Sequence, residues 1–364
     1  MKFSVAKDKL LEGLQTVQNI VSTRTTLPIL SNVLIRAEEG RLLLTTNDLD
    51  VGMSCSVDAS VSKTGGTTLP ARRLAGIVKE LPASEIDVEI DSRNVASLRC
   101  GQSFFKMMGL AEEEFPVLPK LEDAKVFTIK QKDLKDGLRK TSYAISTDET
   151  RYVLNGILFS LKENKLTMVA TDGRRLALVD LEVEFPRSQE GDLIVPSKCV
   201  GELQRLLTDE GELKMLVGEN QIAFDVNGRL LVSKLIEGNY PNYRQVIPAE
   251  TKERVTIERE LLLTAVRRVA LLSSEKSNSV KLNFTKNNLE ITANTPEIGE
   301  AHESLPVQYK GKEFSIAFNP IFLQDPLRNL PDDEVHLDLI DEMSPGVIKI
   351  GTPFLYVLMP MRIS

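Results

Sequence analysis

The side chains of this sequence that could do chemistry are few, and their spacing favours no reaction. The two histidines, His302 and His336, sit in no HxxxH, HExxH or Cys/His arrangement, so no zinc site is predicted. Cys55, Cys100 and Cys199 are an odd, scattered set without CxxC spacing. They read as reduced thiols buried as small hydrophobes, in a cytoplasmic protein. No GxSxG, GxGxxG or phosphate-cradling lysine loop is present. The acidic clusters LTDEGE and PDDEV read as solvated turns rather than magnesium ligands. The motif TDGRRLAL at 171–178 stands out, but Asp172-Gly173 suits a tight turn after a strand. A metal-dependent phosphoesterase would need Asp172, Asp48 and Asp338 to converge from separate segments, and no spacing supports that. The expectation is therefore no catalytic residue, no metal and no cofactor.

Charge distribution says more. Six predicted helical windows, 6–19, 70–81, 131–143, 196–207, 258–272 and 319–330, hold 15 Lys and Arg against 9 Asp and Glu. They are +6 in a chain of net charge −7, which leaves −13 on the remainder. An acidic protein that concentrates positive charge on one class of element predicts a polyanion held by those elements. Aromatic residues are sparse there, which favours the phosphates of a duplex over stacked single-stranded bases. A β-rich scaffold that binds no nucleic acid is the competing reading.

The elements that must carry this charge recur. The stretch 127–183 reads as strand, helix and hairpin. Leu134, Leu138, Thr141 and Ile145 share one helix face, while Lys132, Lys135 and Arg139 share the opposite one. Ile157, Phe159 and Leu161 alternate as in a half-buried strand. The unit occurs three times, with hairpins NVLIRAEEGRLLLTTND, NGILFSLKENKLTMVATD and SVKLNFTKNNLEITANT. Leu42, Leu166 and Leu289 are 124 and 123 residues apart. So long a period predicts repeated domains, not a solenoid. Each repeat restarts once: TTLPARRLAGIVKEL, DLIVPSKCVGELQRLL and FSIAFNPIFLQDPLRNL open the second halves. The predicted fold is α+β, three similar domains, each of two βαβββ halves. Polar, proline-containing junctions place the domains at 1–120, 121–248 and 249–364. The first residues, MKFSVAKDKL, lack the apolar core of a secretory signal, and no apolar run is long enough to span a membrane.

With these features in hand, the whole chain resembles the bacterial DNA polymerase III β-subunit family of sliding clamps. The resemblance rests on MKF at the start, TLPILSNVL (26–34), LPARR (69–73), RYVLNG (151–156), ATDGRRLA (170–177), YPNYRQVIP (240–248) and the final YVLMPMRI, in that order and spacing. It implies a head-to-tail dimeric ring of two three-domain chains, with strands outside and helices lining a hole for duplex DNA. The implied function is processivity: the ring encircles DNA without regard to sequence and performs no catalysis. Its implied partners are the replicative polymerase, the clamp-loading ATPase and other proteins carrying a Gln-x-x-Leu-x-Phe-like peptide.

The resemblance carries the family's DNA contacts onto Arg24, Arg72, Tyr152 and Lys198. The helix faces add Arg139 and Arg267. The sequence departs from the family's usual pattern at Thr147, Asp148 and Val153, and Asp148 would repel phosphate. The implied peptide pocket falls on Leu154, Thr171, Gly173, Arg175, Leu176, Pro241, Val246, Phe322, Val357, Met359, Pro360, Met361 and Arg362; Arg174 and Gln245 differ from the common residues. On residue types alone, Leu154, Leu176 and Val357 could equally be local core. The implied dimer interface takes Arg73, Phe105 and Met107 from one chain. From the other it takes Leu271, Leu272, Glu297, Glu300 and Glu303. An edge strand with exposed Phe and Met would be an aggregation liability unless paired, and a closed symmetric ring pairs it.

Overall fold

The structure, a computed structural model, describes residues 1–21, 27–119, 121, 123–273 and 278–362. The βαβββ half recurs six times. The first repeat runs β1 (Lys2–Ala6), α1 (Lys7–Val17), β2 (Asn32–Glu38), β3 (Arg41–Asn47) and β4 (Val51–Asp58), with a short added β5 (Ser60–Lys63). It restarts with β6 (Gly65–Pro70), α2 (Ala71–Glu80), β7 (Glu85–Ile90), β8 (Val95–Cys100) and β9 (Ser103–Met108). The second holds β10 (Lys125–Lys130), α3 (Gln131–Thr141), β11 (Gly156–Lys162), β12 (Lys165–Thr171) and β13 (Arg175–Glu182). Its second half holds β14 (Gly191–Pro196), α4 (Ser197–Leu206), β15 (Glu212–Val217), β16 (Gln221–Val226) and β17 (Arg229–Lys234). The third holds β18 (Glu253–Glu258), α5 (Arg259–Val269), β19 (Val280–Thr285), β20 (Asn288–Thr295) and β21 (Gly299–Pro306). It ends with β22 (Phe314–Phe318), α6 (Pro320–Asn329), β23 (Glu334–Leu339), β24 (Gly346–Lys349) and β25 (Phe354–Leu358).

The patterns that encode these elements are simple. In β7, Ile86, Val88 and Ile90 are buried while Glu85, Asp87 and Glu89 are exposed, the period of two that a half-buried strand requires. In α2, Ala71, Leu74, Ala75 and Val78 fall on one buried stripe at helical spacing. Gly13 of α1 lies so close to its sheet that a Cβ would meet Val57 Cγ2 at 2.4 Å. Gly137, at the same place in α3, would meet Met168 Sδ at 2.9 Å. In α5 the position is Ala265, fully buried. Small residues there let the helix settle onto the hairpin behind it.

Chain contacts gather into two compact units, Met1–Lys132 with Lys198–Leu235, and Asp133–Ser197 with Ile236–Ser364. They do not follow the sequence repeats, because strands pair across repeat junctions. The first unit holds a sheet β5-β1-β7-β8-β9 and a sheet β10-β15-β16-β17-β4-β3-β2-β6, joined where Leu231 pairs with Met53. The second unit holds β14-β11-β12-β13-β25-β24-β23-β18, joined where Leu176 pairs with Val357, and β21-β20-β19-β22. The middle repeat thus gives half its strands to each unit. No helix among the described residues is long and apolar enough to cross a membrane.

Candidate nucleic-acid interface and docking site

In the first unit two of the expected DNA contacts converge. Arg72 and Lys198 are each the second residue of their helix, α2 and α4, and each helix follows a strand-ending proline, Pro70 and Pro196. Arg72 Nη2 donates to Val21 O at 3.2 Å, and Lys198 Nζ donates to Ile20 O at 3.0 Å. Both cations therefore hold the backbone that leads into residues 22–26. Arg24 itself lies outside the described residues. Lys198 also pairs with Asp48. The other Asp48 oxygen accepts the amides of Asp50 at 3.1 Å and Val51 at 2.7 Å.

In the second unit the expected contacts differ in availability. Tyr152 is 58% exposed and so open to a ligand. Arg267 is exposed and makes no ion pair among the described residues. Arg139, by contrast, is half-buried and bound to Asp136 of its own helix at 3.1 Å. On the face read from spacing, Lys132 is exposed and Lys135 half-buried, while the neighbouring Lys140, counted in the helix's charge, is buried. Asp148 accepts from the Thr150 hydroxyl and amide and pairs with Arg151 at 3.1 Å. The Thr150 hydrogen bonds, aided by Arg151, hold its carboxyl below the usual range.

Two of the expected docking residues belong to an apolar cluster in the second unit. Leu176 and Val357 are buried together with Leu158, Val169 and Ile194. Val153, Tyr240, Tyr243 and Ile247 pack over them, half-buried. Leu176 and Val357, 2% and 1% exposed, are therefore the floor of the site rather than open walls; Leu154 is buried as well. Pro241 and Val246 stay exposed on the connecting segment, and Met359, Pro360 and Met361 are half-buried with Arg362 exposed. The end of the chain is tied down: Met359 N–H donates to Arg174 O at 3.0 Å and Met361 N–H to Ala317 O at 2.7 Å.

Arg175 holds this site together from within. Its side chain is 9% exposed, so it offers little surface to a ligand. Its guanidinium bonds Asp172 at 3.0 Å, Asp325 on α6 and the Tyr143 carbonyl, and stacks 4.3 Å from the Phe322 ring. Burial opposes its charge, but Tyr356, Asp325 and Asp172 outweigh it, and its pKa rises above the usual arginine value. The turn before it is built to match. Gly173 has φ +85°, a conformation that favours glycine, and the Thr171 hydroxyl accepts its amide and donates to Arg175 O. Phe322 is thus occupied by Arg175, and Thr171 and Gly173 shape the loop. Asp325, Tyr143, Tyr356, Tyr240 and Tyr243 were missed in the sequence. Asp325 stands three residues after Phe322, so helical spacing alone could have found it.

At the expected dimer edges, β9 and β21 are each the end strand of a sheet. Phe104 and Met108 are 53% and 73% exposed, and Phe105 37%. Met107 is 7% exposed, packed into its own sheet's core, although Phe105 on the same side of the strand is 37% exposed. The outward apolar surface of this edge belongs to Phe104, Phe105 and Met108 rather than to Met107. Arg73 is exposed beside α2's outer face. Leu271 is 79% exposed and Leu272 half-buried. Glu297 and Glu300 are exposed, whereas Glu303 is engaged by Arg268 at 3.0 Å.

The carboxylates that a metal mechanism would require are each engaged by cations: Asp172 by Arg175, Asp48 by Lys198, and Asp338 by Arg254 and Lys349. The three thiols are free and buried. Burial pushes Cys55 up to about 11 and Cys199 up to about 12, so both stay protonated at neutral pH.

Known proteins match this arrangement over its full length. The N-terminal, central and C-terminal domain profiles of the DNA polymerase III beta subunit match residues 1–119, 128–242 and 244–362. The chain is 37% identical over 363 residues to a beta sliding clamp of Chlamydia muridarum, covering 100% of this chain and 99% of that one. It is 39% identical over 370 residues to that of Proteus mirabilis, covering 100% of both. Among solved structures, the DNA polymerase sliding clamp of Bacillus subtilis superposes with a TM-score of 0.96 at 31% identity, covering 100% of both chains. A sliding clamp of Pseudomonas aeruginosa, bound to griselimycin, does so with 0.96 at 35%, again over 100% of both. With three successive domains matched and relatives aligned from end to end, the chain belongs to the DNA polymerase III beta subunit family.

Proposed function

We propose that two copies of this chain close head-to-tail around duplex DNA and hold replication proteins on it, as a processivity clamp without catalysis of its own. The observation that carries this reading is the end-to-end match to beta sliding clamps at a TM-score of 0.96. The geometry supports it at three places. Arg72 and Lys198 present charge from first turns of helices, where they meet phosphate rather than base edges. The β9 edge, with Phe104 and Met108, and the β21 edge, beside Leu271, are end strands with apolar surface that a second copy would cover. The apolar cluster under Tyr240 and Tyr243, which includes Val357 just before the Met359–Arg362 tail, suits a peptide anchored by Leu and Phe. The polymerase and the clamp-loading ATPase are the proposed bearers of such peptides. The domains proposed for each chain are 1–120, 121–248 and 249–364.

The test is topological. Loaded onto nicked circular duplex, the protein should stay bound through high salt and be released when the DNA is linearised. Retention should be indifferent to sequence. Equal loss from circular and linear DNA at the same salt concentration would defeat the ring reading.

A further inference from the structure

We infer that Asp48 is a positioning residue for DNA contact: its carboxylate occupies, in the free protein, the place beside Lys198 that a backbone phosphate takes when duplex binds. The inference rests on the proposed role of Lys198 as a DNA contact and deepens it.

Lys198 sits in the first turn of α4, where the amide dipoles favour an anion and oppose a cation. A cation there needs a negative partner close by, and Asp48 supplies it. The placement of Asp48 is fixed. One of its oxygens accepts the amides of Asp50 and Val51 at 3.1 and 2.7 Å and closes the turn between β3 and β4. The other oxygen is thereby aimed at Lys198 Nζ. The Asp48 side chain is 13% exposed, while that of Lys198 is 40% exposed. The cation therefore remains reachable by a ligand that its partner is too buried to meet. Lys198 also donates to Ile20 O at 3.0 Å, and Arg72 to Val21 O at 3.2 Å. A phosphate drawing Lys198 from Asp48 would thus act on the same backbone that leads into Arg24. The consequence is a moderated attraction. Duplex must displace an internal carboxylate at this contact, which keeps the grip weak enough for movement along DNA.

The decisive experiment compares the full-length parent, Asp48→Asn, Lys198→Ala and the double variant on a short linear duplex, by anisotropy across a series of salt concentrations. Asparagine keeps the oxygen that closes the turn and removes the charge, and thermal unfolding of each variant checks the fold. Asp48→Asn should tighten binding by about two- to fivefold at low salt. It should also steepen the dependence of log K on log salt by up to about 0.9, the value of one phosphate contact. Both effects should vanish in the double variant. An Asp48→Asn protein with the parent's affinity and slope, beside a weakened Lys198→Ala protein, overturns the inference and leaves the DNA contact standing. A gain that persists in the double variant also overturns it, since Asp48 would then act by general repulsion. If Lys198→Ala binds as the parent does, the contact itself is refuted and the inference with it.

Discussion

The hydroxyl of Tyr356 donates to the carbonyl of Phe322 at 2.8 Å, in the place of a helix hydrogen bond that cannot form. The residue four positions on is Pro326, inside α6, which has no N–H to give. A fully buried tyrosine of β25 thus satisfies a carbonyl of α6 and fastens Phe322, the ring beneath Arg175. Tyr356→Phe should cost about 1–3 kcal/mol, the penalty of a buried acceptor left unpaired. Pro326→Ala restores the missing N–H, so the same Tyr356→Phe change should cost less in that background. Urea unfolding of the four proteins gives the cycle. Equal costs in both backgrounds would mean that the Tyr356 hydroxyl is not replacing the lost helix bond.

Acid should weaken the second unit through Asp338. Its buried carboxylate receives Arg254 Nε at 2.6 Å and Nη2 at 2.9 Å, and Lys349 Nζ at 3.0 Å. Burial opposes the charge, and the bonds from Arg254 and Lys349 outweigh it, so its pKa lies below the ordinary carboxylate value. The native state then holds this proton less tightly than the unfolded chain does. The stabilisation is fully present above the unfolded value of about 3.9 and is lost as pH falls from there through the native pKa. Urea midpoints of Asp338→Asn should fall less than those of the parent across that acid window. Parallel decline of the two proteins would place the acid sensitivity elsewhere.

What the sequence displayed, and what it hid, follows from the range of each signal. The six halves were readable because a helix stripe or a strand alternation is complete within about a dozen residues. The pairing of Met53 with Leu231 was not, since neither strand's pattern names its neighbour in a sheet. The docking segments were recognised through their motifs, yet the inward turn of Arg175 was not. Arg174 and Arg175 are adjacent and identical in type, and only the folded strand sends one to solvent and the other to Asp325. In β9 the sequence showed a run of Phe and Met without showing that only Met107 among them is covered. The charge counted on α3 was overstated for a related reason: a count over a window includes Lys140, which the fold covers.

The difference in exposure between Met107 and its neighbours separates fold from assembly at β9. Phe104→Ala with Met108→Ala should weaken self-association while leaving thermal stability of the monomer nearly unchanged, because both side chains are exposed in the single chain. Met107→Ala should instead destabilise the fold by about 2–5 kcal/mol, as a truncated buried methionine does. Leu271→Ala should weaken the dimer by about 1.5–3 kcal/mol, roughly 10- to 150-fold in dissociation constant. Sedimentation on dilution reads the first and third, and urea unfolding the second. If Met107→Ala is the stronger dimer breaker at equal stability, the interface uses the other face of the strand.

The end of the chain should matter more to docking than to assembly. Met359 and Met361 are held by backbone bonds to Arg174 and Ala317, so this tail is placed by both β13's entry turn and β22. Its methionine side chains are half-buried, and it begins two residues after Val357, which packs in the cluster with Leu176 and Tyr240. Removing Met359–Ser364 should cost a Gln-x-x-Leu-x-Phe peptide at least about 2 kcal/mol, roughly thirtyfold in affinity. The dimer should survive, because Leu271 and the β9 edge are untouched. Truncation also removes the two backbone bonds, so Met361→Ala serves as the milder partner: it keeps the bond to Ala317 and deletes only the side chain. It should weaken the peptide in the same direction by a smaller factor. Fluorescence anisotropy of the labelled peptide, beside sedimentation of the same samples, reads both properties. Full peptide affinity in a folded, dimeric truncation would move the docking site away from the tail.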